Sequence, residues 1–490
     1  MRYEQVANAI SDAIASSQIS VGERLPTVRQ TASMLGVSMT TVNSAYRLLA
    51  ERGLIQGETG RGTFIRGNNG AETSRDQARL PRFVGGHLRK AGTVPWRRRA
   101  LVNSAMRLRT RFPDAKDCST GRPDPALLPL RILQRHWARA MDGVNSADLQ
   151  YASVEPMEEL SVQILARFEK DGIAAREGNL VIGDSAQQFL MLAAEVVAGL
   201  WGPENSVIAV EEPGYPTVFD TWERAGVRLI GVAVDEEGAL PESLATALEA
   251  KAKAVLLTPR AHNPTGASWS RRRLAALADV LHEYRDVIAI EDDQFSGIAQ
   301  QGPGSLLGDP RLEDRVLYLR SYSKSIAPDL RVAVAVARPR LANLMREAKS
   351  HADGWTSRLL QRVLAHVLRD PELDDWMERA RNEYEIRRIR AANVINGSQS
   401  PGLSTWPGCD GANIWVHLPS SVDATEVIEH AAMGGVLVAP GEPFYVTPGH
   451  SDVIRFNAGS AGTDHVATYA EVLVRAVLAS GSTHLSPIHV

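Results

Sequence analysis

The sequence predicts a multidomain protein: a winged helix-turn-helix at the N-terminus, an α/β domain with a mainly parallel sheet behind it, and a smaller C-terminal α+β unit. Three observations carry that reading. Residues 1–66 show helical periodicity three times and then a Gly-rich hairpin. From about Asp117 short apolar runs alternate with helical stretches, the pattern of a parallel sheet flanked by helices. From about Asp353 a helical segment leads to two further strand-like runs, Ala412–Val416 and Val453–Asn457.

In the first segment Val6, Ile10 and Ile14 recur at helical spacing, so a helix runs to about Ser17. Gly22 and Pro26 punctuate the chain, Val28, Ala32 and Leu35 mark a second helix, and Gly36 stops it. Ser38 then stands as the N-cap of a third helix carrying Val42, Ala45, Leu48 and Leu49. Leu54–Gln56 and Thr63–Ile65 flank Gly57, Gly60 and Gly62, a hairpin signal. The third helix is the one that enters a major groove. Ser38, Thr40 and Thr41 open it, and Asn43 and Arg47 follow on its next turns. Hydroxyls at a helix N-terminus suit phosphate, and Asn pairs with adenine. Arg29 suits a phosphate, and Arg61 at the wing tip suits a minor groove or backbone.

The domain boundaries read as 1–66 for the DNA-binding unit, 67–112 for a basic linker and 113–485 for the large domain. The linker alternates Gly, Pro and Arg, with one helix near Arg98–Arg107. From Arg66 to Lys116 roughly a dozen basic residues face only Glu72, Asp76 and Asp114, either a solvated linker or a DNA-backbone contact. In the large domain the strand candidates are Leu180–Ile182, Ser206–Val210, Arg228–Val232, Ala254–Leu257, Val287–Ile290, Val316–Leu319 and Val332–Ala337.

Composition bounds the function class. Of 490 residues 44% are hydrophobic and 23% charged, with a net charge of -3, which is ordinary for a globular chain. No run approaches the roughly 18 apolar residues of a membrane span. The first residues lack a signal-peptide core. The two cysteines, Cys118 and Cys409, match no metal or redox spacing, so no metal site is expected. A cytoplasmic location follows.

The chemistry gathers at the ends of the strand candidates, where open α/β sheets bind ligands. Ser321-Tyr322-Ser323-Lys324 precedes Ala327-Pro328-Asp329-Leu330-Arg331. Lys324 supplies an amine for a Schiff base with an aldehyde cofactor. Ser321, Ser323 and Arg331 are spaced to reach one phosphate. Asp292, within Glu291-Asp292-Asp293, can pair with a protonated pyridine nitrogen, and Asn263 can donate to a phenolate oxygen. Tyr215 offers a stacking face, and Asp184-Ser185-Ala186-Gln187 opens a helix whose amides can bind phosphate.

The segment around Gly22-Glu23-Arg24-Leu25-Pro26-Thr27-Val28-Arg29, Leu35-Gly36-Val37-Ser38 and Gly60-Arg61-Gly62-Thr63-Phe64 resembles the GntR family over nearly all of residues 2–66. Met39 stands where that family often carries Arg. Residues 117–480 resemble the fold-type I aminotransferases, through the motifs above and in the same order. That resemblance implies pyridoxal 5'-phosphate held on Lys324 as an internal aldimine, with Asp292 on the pyridine nitrogen, Asn263 on the phenolate and Tyr215 on the ring. It implies a phosphate site of Ser185, Ala186, Gln187, Ser321, Ser323 and Arg331, completed by Tyr151 from a second subunit. It implies that Arg455 clamps a substrate or effector carboxylate and that Gly121-Arg122-Pro123-Asp124 is a substrate-side turn. Two departures bear on catalysis. Gln294 and Phe295 follow Asp293 where a tyrosine usually shares the phenolate contact, and Met157 and Glu158 replace a usual glycine.

Together the two halves resemble the MocR subfamily of GntR regulators. The resemblance implies a homodimer on double-stranded operator DNA. Its effector domain binds pyridoxal phosphate and senses it, or a small amine or amino acid that reacts with it, to control vitamin B6 or amino-acid metabolism. The alternative is an aminotransferase with an accessory DNA-binding domain.

Overall fold

The computed structural model describes residues 3, 6–7, 10–11, 24–35, 37–51, 54–58, 62–65, 102, 105–202, 205–302, 304–406, 408 and 410–482. They fall into two compact units, Met1–Val84 and Gly85–Val490.

In the first unit, β1 (Arg24–Leu25) leads into α1 (Val28–Leu35), α2 (Met39–Glu51) and the hairpin β2 (Ile55–Glu58) and β3 (Gly62–Ile65). The three strands pair antiparallel in the order β1-β3-β2. Both helix starts are capped by side chains. The Gln30 N–H donates to Thr27 Oγ1 while Gln30 Oε1 accepts from the Thr27 N–H, a reciprocal box. The Thr41 N–H donates to Ser38 Oγ at 3.1 Å. Val42, Ala45, Tyr46 and Leu49 are buried with Val6, Leu25, Ile55 and Ile65, so one face of α2 is fixed against the wing. The Tyr46 hydroxyl donates to Pro26 O at 2.8 Å and accepts from Thr31 Oγ1 at 2.8 Å, tying α2 to α1 and to the strand before it.

In the second unit residues 102 and 105–111 are helical, overlapping the linker helix expected near Arg98–Arg107, the rest of which lies outside the described residues. A short strand β4 (Lys116–Asp117) follows. The large sheet comprises β5 (Leu180–Gly183), β6 (Val207–Glu212), β7 (Arg228–Asp235), β8 (Gly238–Ala239), β9 (Ala254–Leu257), β10 (Ile288–Asp293), β11 (Val316–Ser321) and β12 (Ala333–Val336). Its order is β5-β12-β11-β10-β9-β6-β7-β8. Neighbours from β11 to β7 pair parallel, while β12 runs antiparallel to both β11 and β5. Every expected strand is present, and β6, β7, β10 and β11 extend further toward their carboxyl ends than the apolar runs did. The extensions of β6, β10 and β11 are polar: Glu211, Glu212, Asp292 and Asp293 continue their strands because the ladder satisfies their backbone.

Both faces of this sheet are covered, so the strands read as continuous apolar runs. Leu180, Ile182, Val255 and Leu257 pack into one core, while Val181, Ala254 and Leu256 pack into the other. A smaller antiparallel sheet follows, of β13 (Ser404–Thr405), β14 (Asn413–His417), β16 (Ala439–Pro440) and β17 (Val453–Asn457), with β15 (Val436–Leu437) pairing to β4. Among the described residues no helix is long and apolar enough to cross a membrane, and no group of three or more His, Cys, Asp or Glu is placed to hold a metal.

Candidate functional site

A cleft of about 430 Å³ opens beside the carboxyl ends of the parallel strands, walled on one side by the smaller sheet. Lys324, Tyr215, Asn263 and Arg455 line it, as do Gln294 and Phe295. Five segments far apart in sequence meet here: Tyr215, Asn263, Gln294 with Phe295, and Lys324 each come after a strand of the large sheet, and Arg455 lies within β17 of the smaller one.

The acidic triplet at the end of β10 shows how strand geometry selects one residue. Side chains alternate between faces, so Glu291 and Asp293 share one face and Asp292 takes the other. Glu291 is engaged by Ser305 Oγ and by the Leu306 N–H at 2.7 Å. Asp293 receives a bidentate clamp from Arg260, at 2.9 and 2.6 Å, and the Tyr318 hydroxyl besides. Arg260 and Arg320 hold its carboxyl below the usual range in spite of burial. Asp292 is as deeply buried but has no such partner, and its Oδ1 makes no hydrogen bond. Burial, then the neighbouring Asp293 and Glu211, push it up to about 7, while Lys324 acts to lower it.

Lys324 is shifted the other way. Burial and the Arg455 charge bring its amine down to about 8. Its Nζ donates to the carbonyl of Gly121. Arg455 crosses from β17, donating from Nη1 to Asn263 Oδ1 at 2.8 Å and from Nη2 to Ser119 O at 2.5 Å. With Oδ1 so engaged, the amide nitrogen of Asn263 is the end left for a ligand. Phe444 lies under the guanidinium, 4.8 Å from ring centroid to Cζ.

The phosphate candidates share one edge of the sheet. The ladder aligns Gly183 with Ala333 and Ala333 with Ser321, so the ends of β5 and β11 and the start of β12 form a row. Ser185 and Ala186 follow Gly183 and open the helix Ala186–Trp201, whose first-turn amide at Gln188 donates to Ser185 Oγ at 3.1 Å. Arg331 precedes β12 with a left-handed backbone, φ 50°, and its side chain is exposed. Gln187 points partly elsewhere: its Nε2 reaches Thr221 Oγ1 at 3.5 Å, and its Oε1 is buried without a partner.

Tyr151 is not brought to this cleft. It is 90% exposed and sits edge-on to Trp355, 5.5 Å between ring centroids, beside Arg358. In the first unit Ser38, Thr40, Asn43 and Arg47 are exposed along one side of α2, opposite its buried face, with Thr41 half-buried among them. Met39 is 56% exposed on the same helix. The side chain of Arg29 and all of Arg61 lie outside the described residues.

The sequence reading missed several residues of the cleft. Arg109 lines it from the 105–111 helix and is held by Ser119 Oγ at 2.7 Å and Asp117 at 3.3 Å. Asn413 and Phe444 line it from the smaller unit. Arg109 was one of a dozen linker cations with nothing to single it out. Glu211 was also missed. It is buried next to His262, 3.3 Å between Oε2 and Nε2, and contributes to raising Asp292.

Comparisons with known proteins bear on the fold and the family. The model of the bacterial regulatory proteins of the gntR family matches residues 2–65, and that of aminotransferase class I and II matches residues 89–472. The vitamin B6 salvage pathway transcriptional repressor PtsJ of Salmonella typhimurium is 30% identical over 95% of this chain and 96% of its own length. The HTH-type transcriptional regulator TauR of Rhodobacter capsulatus is 29% identical over 89% of this chain and 88% of its own. Among solved structures, the α-aminoadipate aminotransferase LysN of Thermus thermophilus, complexed with N-(5'-phosphopyridoxyl)-L-leucine, superposes with a TM-score of 0.69 at 24% identity, covering 79% of this chain and 98% of LysN. The chain joins a GntR-type N-terminal segment to a fold-type I aminotransferase fold, and the relatives that it matches over about nine-tenths of their length are named transcription regulators; the chain belongs to the MocR subfamily of GntR-family transcription regulators.

Proposed function

We propose that this regulator binds pyridoxal 5'-phosphate on Lys324 and that the state of that site sets the affinity of a homodimer for operator DNA. The observation that carries the reading is the electrostatic proximity of Lys324 to Asp292, each of which shifts the other. A buried amine brought down to about 8 lies within electrostatic reach of a buried carboxylate whose Oδ1 has no partner. A cationic pyridine nitrogen is the kind of group that would satisfy that oxygen. The residues present therefore fit the cofactor. Lys324 would hold it covalently, Asp292 would pair its ring nitrogen, Asn263 its phenolate oxygen, and Tyr215 would face its ring. Ser185, Ala186, Gln187, Ser321, Ser323 and Arg331 would hold its phosphate, with Tyr151 reaching in from the partner subunit. When bound, the cofactor supplies an aldehyde able to capture an amine.

The rest belongs to the protein. Arg455 holds the carboxylate of an incoming amino acid and, through Asn263, links that event to the cofactor position. Ser38, Thr40, Thr41, Asn43 and Arg47, with Arg29 and Arg61, contact DNA, where Asn43 suits a base edge and the arginines phosphate. The domains run 1–66, 67–112 and 113–485, and the protein works in the cytoplasm, where its DNA is. Since PtsJ is named as a repressor of vitamin B6 salvage, we place vitamin B6 or amino-acid metabolism genes under its control. The test is spectroscopic. The purified protein should carry a visible cofactor band, borohydride should fix the label on Lys324, and Lys324→Ala should lose the band while remaining folded. A colourless protein that gains no band with added cofactor, or label on another lysine, contradicts the reading.

A further inference from the structure

The charge lining of the cleft is one-sided. Its charged residues are Arg109, Arg122, Lys324 and Arg455, and no Asp or Glu lines it among the described residues. Three of these cations are accounted for. Arg109 is neutralised by Asp117 and bonded to Ser119. Lys324 is the attachment point and loses its charge to the extent that its lowered amine deprotonates. Arg455 is built for one carboxylate: it is 6% exposed, its two Nη atoms are fixed by Asn263 and Ser119, and its Nε is buried with no hydrogen-bond partner.

Arg122 remains. It follows Gly121, whose carbonyl accepts from Lys324 Nζ, so its backbone is anchored at the reacting amine. Asn457 Nδ2 donates to the carbonyls of Thr120 and Arg122, fixing the turn from the smaller sheet. The next residue but one, Asp124, is paired with Arg387 at 2.6 Å, leaving no local carboxylate for Arg122. Among the described residues the Arg122 side chain makes no ion pair, and it is exposed at the cleft mouth.

We propose that Arg122 reads a second anionic group, so that the effector is an amino acid with an acidic side chain. The inference rests on the reading above, in which the cleft takes an amino compound at Lys324. Arg455 takes the α-carboxylate, and Arg122 takes a carboxylate or phosphate further along the side chain. A neutral side chain leaves the cleft with an uncompensated cation, whereas an anion makes charge-assisted hydrogen bonds to a planar donor fork. Arg122 acts here as a specificity residue and takes no part in any covalent step.

The experiment uses the full-length, cofactor-loaded protein. L-glutamate, L-aspartate and O-phospho-L-serine are titrated against their neutral counterparts L-glutamine, L-asparagine and L-serine. Binding is followed by the cofactor absorbance and, independently, by calorimetry. At least one acid is expected to bind about tenfold or more tightly than its neutral counterpart, and the pair that shows it separates carboxylate from phosphate. Raising the salt concentration should shrink the ratio, because Arg122 is exposed. Arg122→Gln should bring the ratio to about one, and Arg122→Lys should keep part of it. Equal binding of acids and neutral counterparts by the unmodified protein overturns the proposal, as does a preference that survives Arg122→Gln. Failure of the parent reading shows earlier, as a missing cofactor band before any amino acid is added, and removes this inference with it.

Discussion

Arg455 and Asn263, 192 positions apart, are joined by a hydrogen bond of 2.8 Å from the guanidinium to the amide oxygen. One residue comes from the smaller sheet and is the one proposed to hold an effector carboxylate. The other comes from the loop after β9 and is proposed to hold the cofactor. A ligand that pulls on Arg455 therefore pulls on Asn263. Arg455→Lys keeps the charge but loses the fork, and should weaken amino-acid binding about ten- to a hundred-fold. Asn263→Ala should alter both the cofactor band and the amino-acid affinity. Spectral titration of each variant checks this, and an effect of Asn263→Ala on the band alone would break the proposed link.

Cofactor attachment should depend on pH in a set direction. A lysine amine reacts only when neutral. At the ordinary value of 10.5 about 3 in 10,000 are neutral at pH 7, and at about 8 roughly 1 in 10 are. The rate of attachment to the apo protein should rise with pH up to about 8 and then level off. Arg455 acts to lower Lys324, so Arg455→Gln should move the levelling point to higher pH. Stopped-flow absorbance from pH 6 to 9 measures both profiles.

The acidic triplet predicts opposite stability effects from adjacent residues. Asp293→Ala leaves the buried Arg260 charge without its partner, and should cost about 3–5 kcal/mol of apo-protein stability. Asp292→Asn removes a buried carboxylate that has no hydrogen bond at Oδ1, and should leave the apo protein as stable or more so while weakening cofactor retention. The sign with pH follows. A carboxyl raised from 3.8 to about 7 on folding holds its proton better in the folded chain. Its contribution is full below about 4 and is lost as pH rises through 7. Glu291, pushed up to about 7 by burial, acts in the same direction, so Asp292→Asn should reduce this slope rather than abolish it. Thermal unfolding of the apo variants between pH 4 and 8 is the measurement.

In the DNA-binding unit, contact and support should separate. Asn43 and Arg47 are exposed, whereas Tyr46 is buried and hydrogen-bonded to Pro26 and Thr31. Asn43→Ala should relax preference at one base position by about 1–3 kcal/mol, and Arg47→Ala or Arg29→Ala should weaken binding to all sequences and flatten its salt dependence. Tyr46→Phe should instead cost about 1–2 kcal/mol of stability in this unit, leaving base preference intact. Binding assays on an operator and on scrambled DNA at several salt concentrations distinguish the three.

Much of this was legible in the sequence because the residues concerned act through short spacings. Ser38 caps the helix it precedes, the hairpin follows its glycines, and Asp292, Asn263, Tyr215 and Lys324 each follow an apolar run that became a strand. What was not legible depended on contacts across long sequence separations. The triplet Glu291-Asp292-Asp293 is three similar letters until Ser305 and Arg260 claim two of them. Arg109 becomes a wall of the cleft only through Ser119 and Asp117, which sit on a different element. The strand ends were underestimated because polar residues such as Glu212 and Asp293 stay in the ladder through backbone pairing, which hydropathy does not register.

Occupancy of the Lys324 site should change DNA affinity, which an effector can do only by binding two conformations unequally. The direct measurement is an operator titration at one fixed salt concentration with apo protein, cofactor-bound protein and the Lys324→Ala variant. The cofactor, or an amine captured by it, should shift operator affinity by roughly 5- to 150-fold, and Lys324→Ala should behave as apo protein whether or not cofactor is present. Three identical affinities would contradict this coupling.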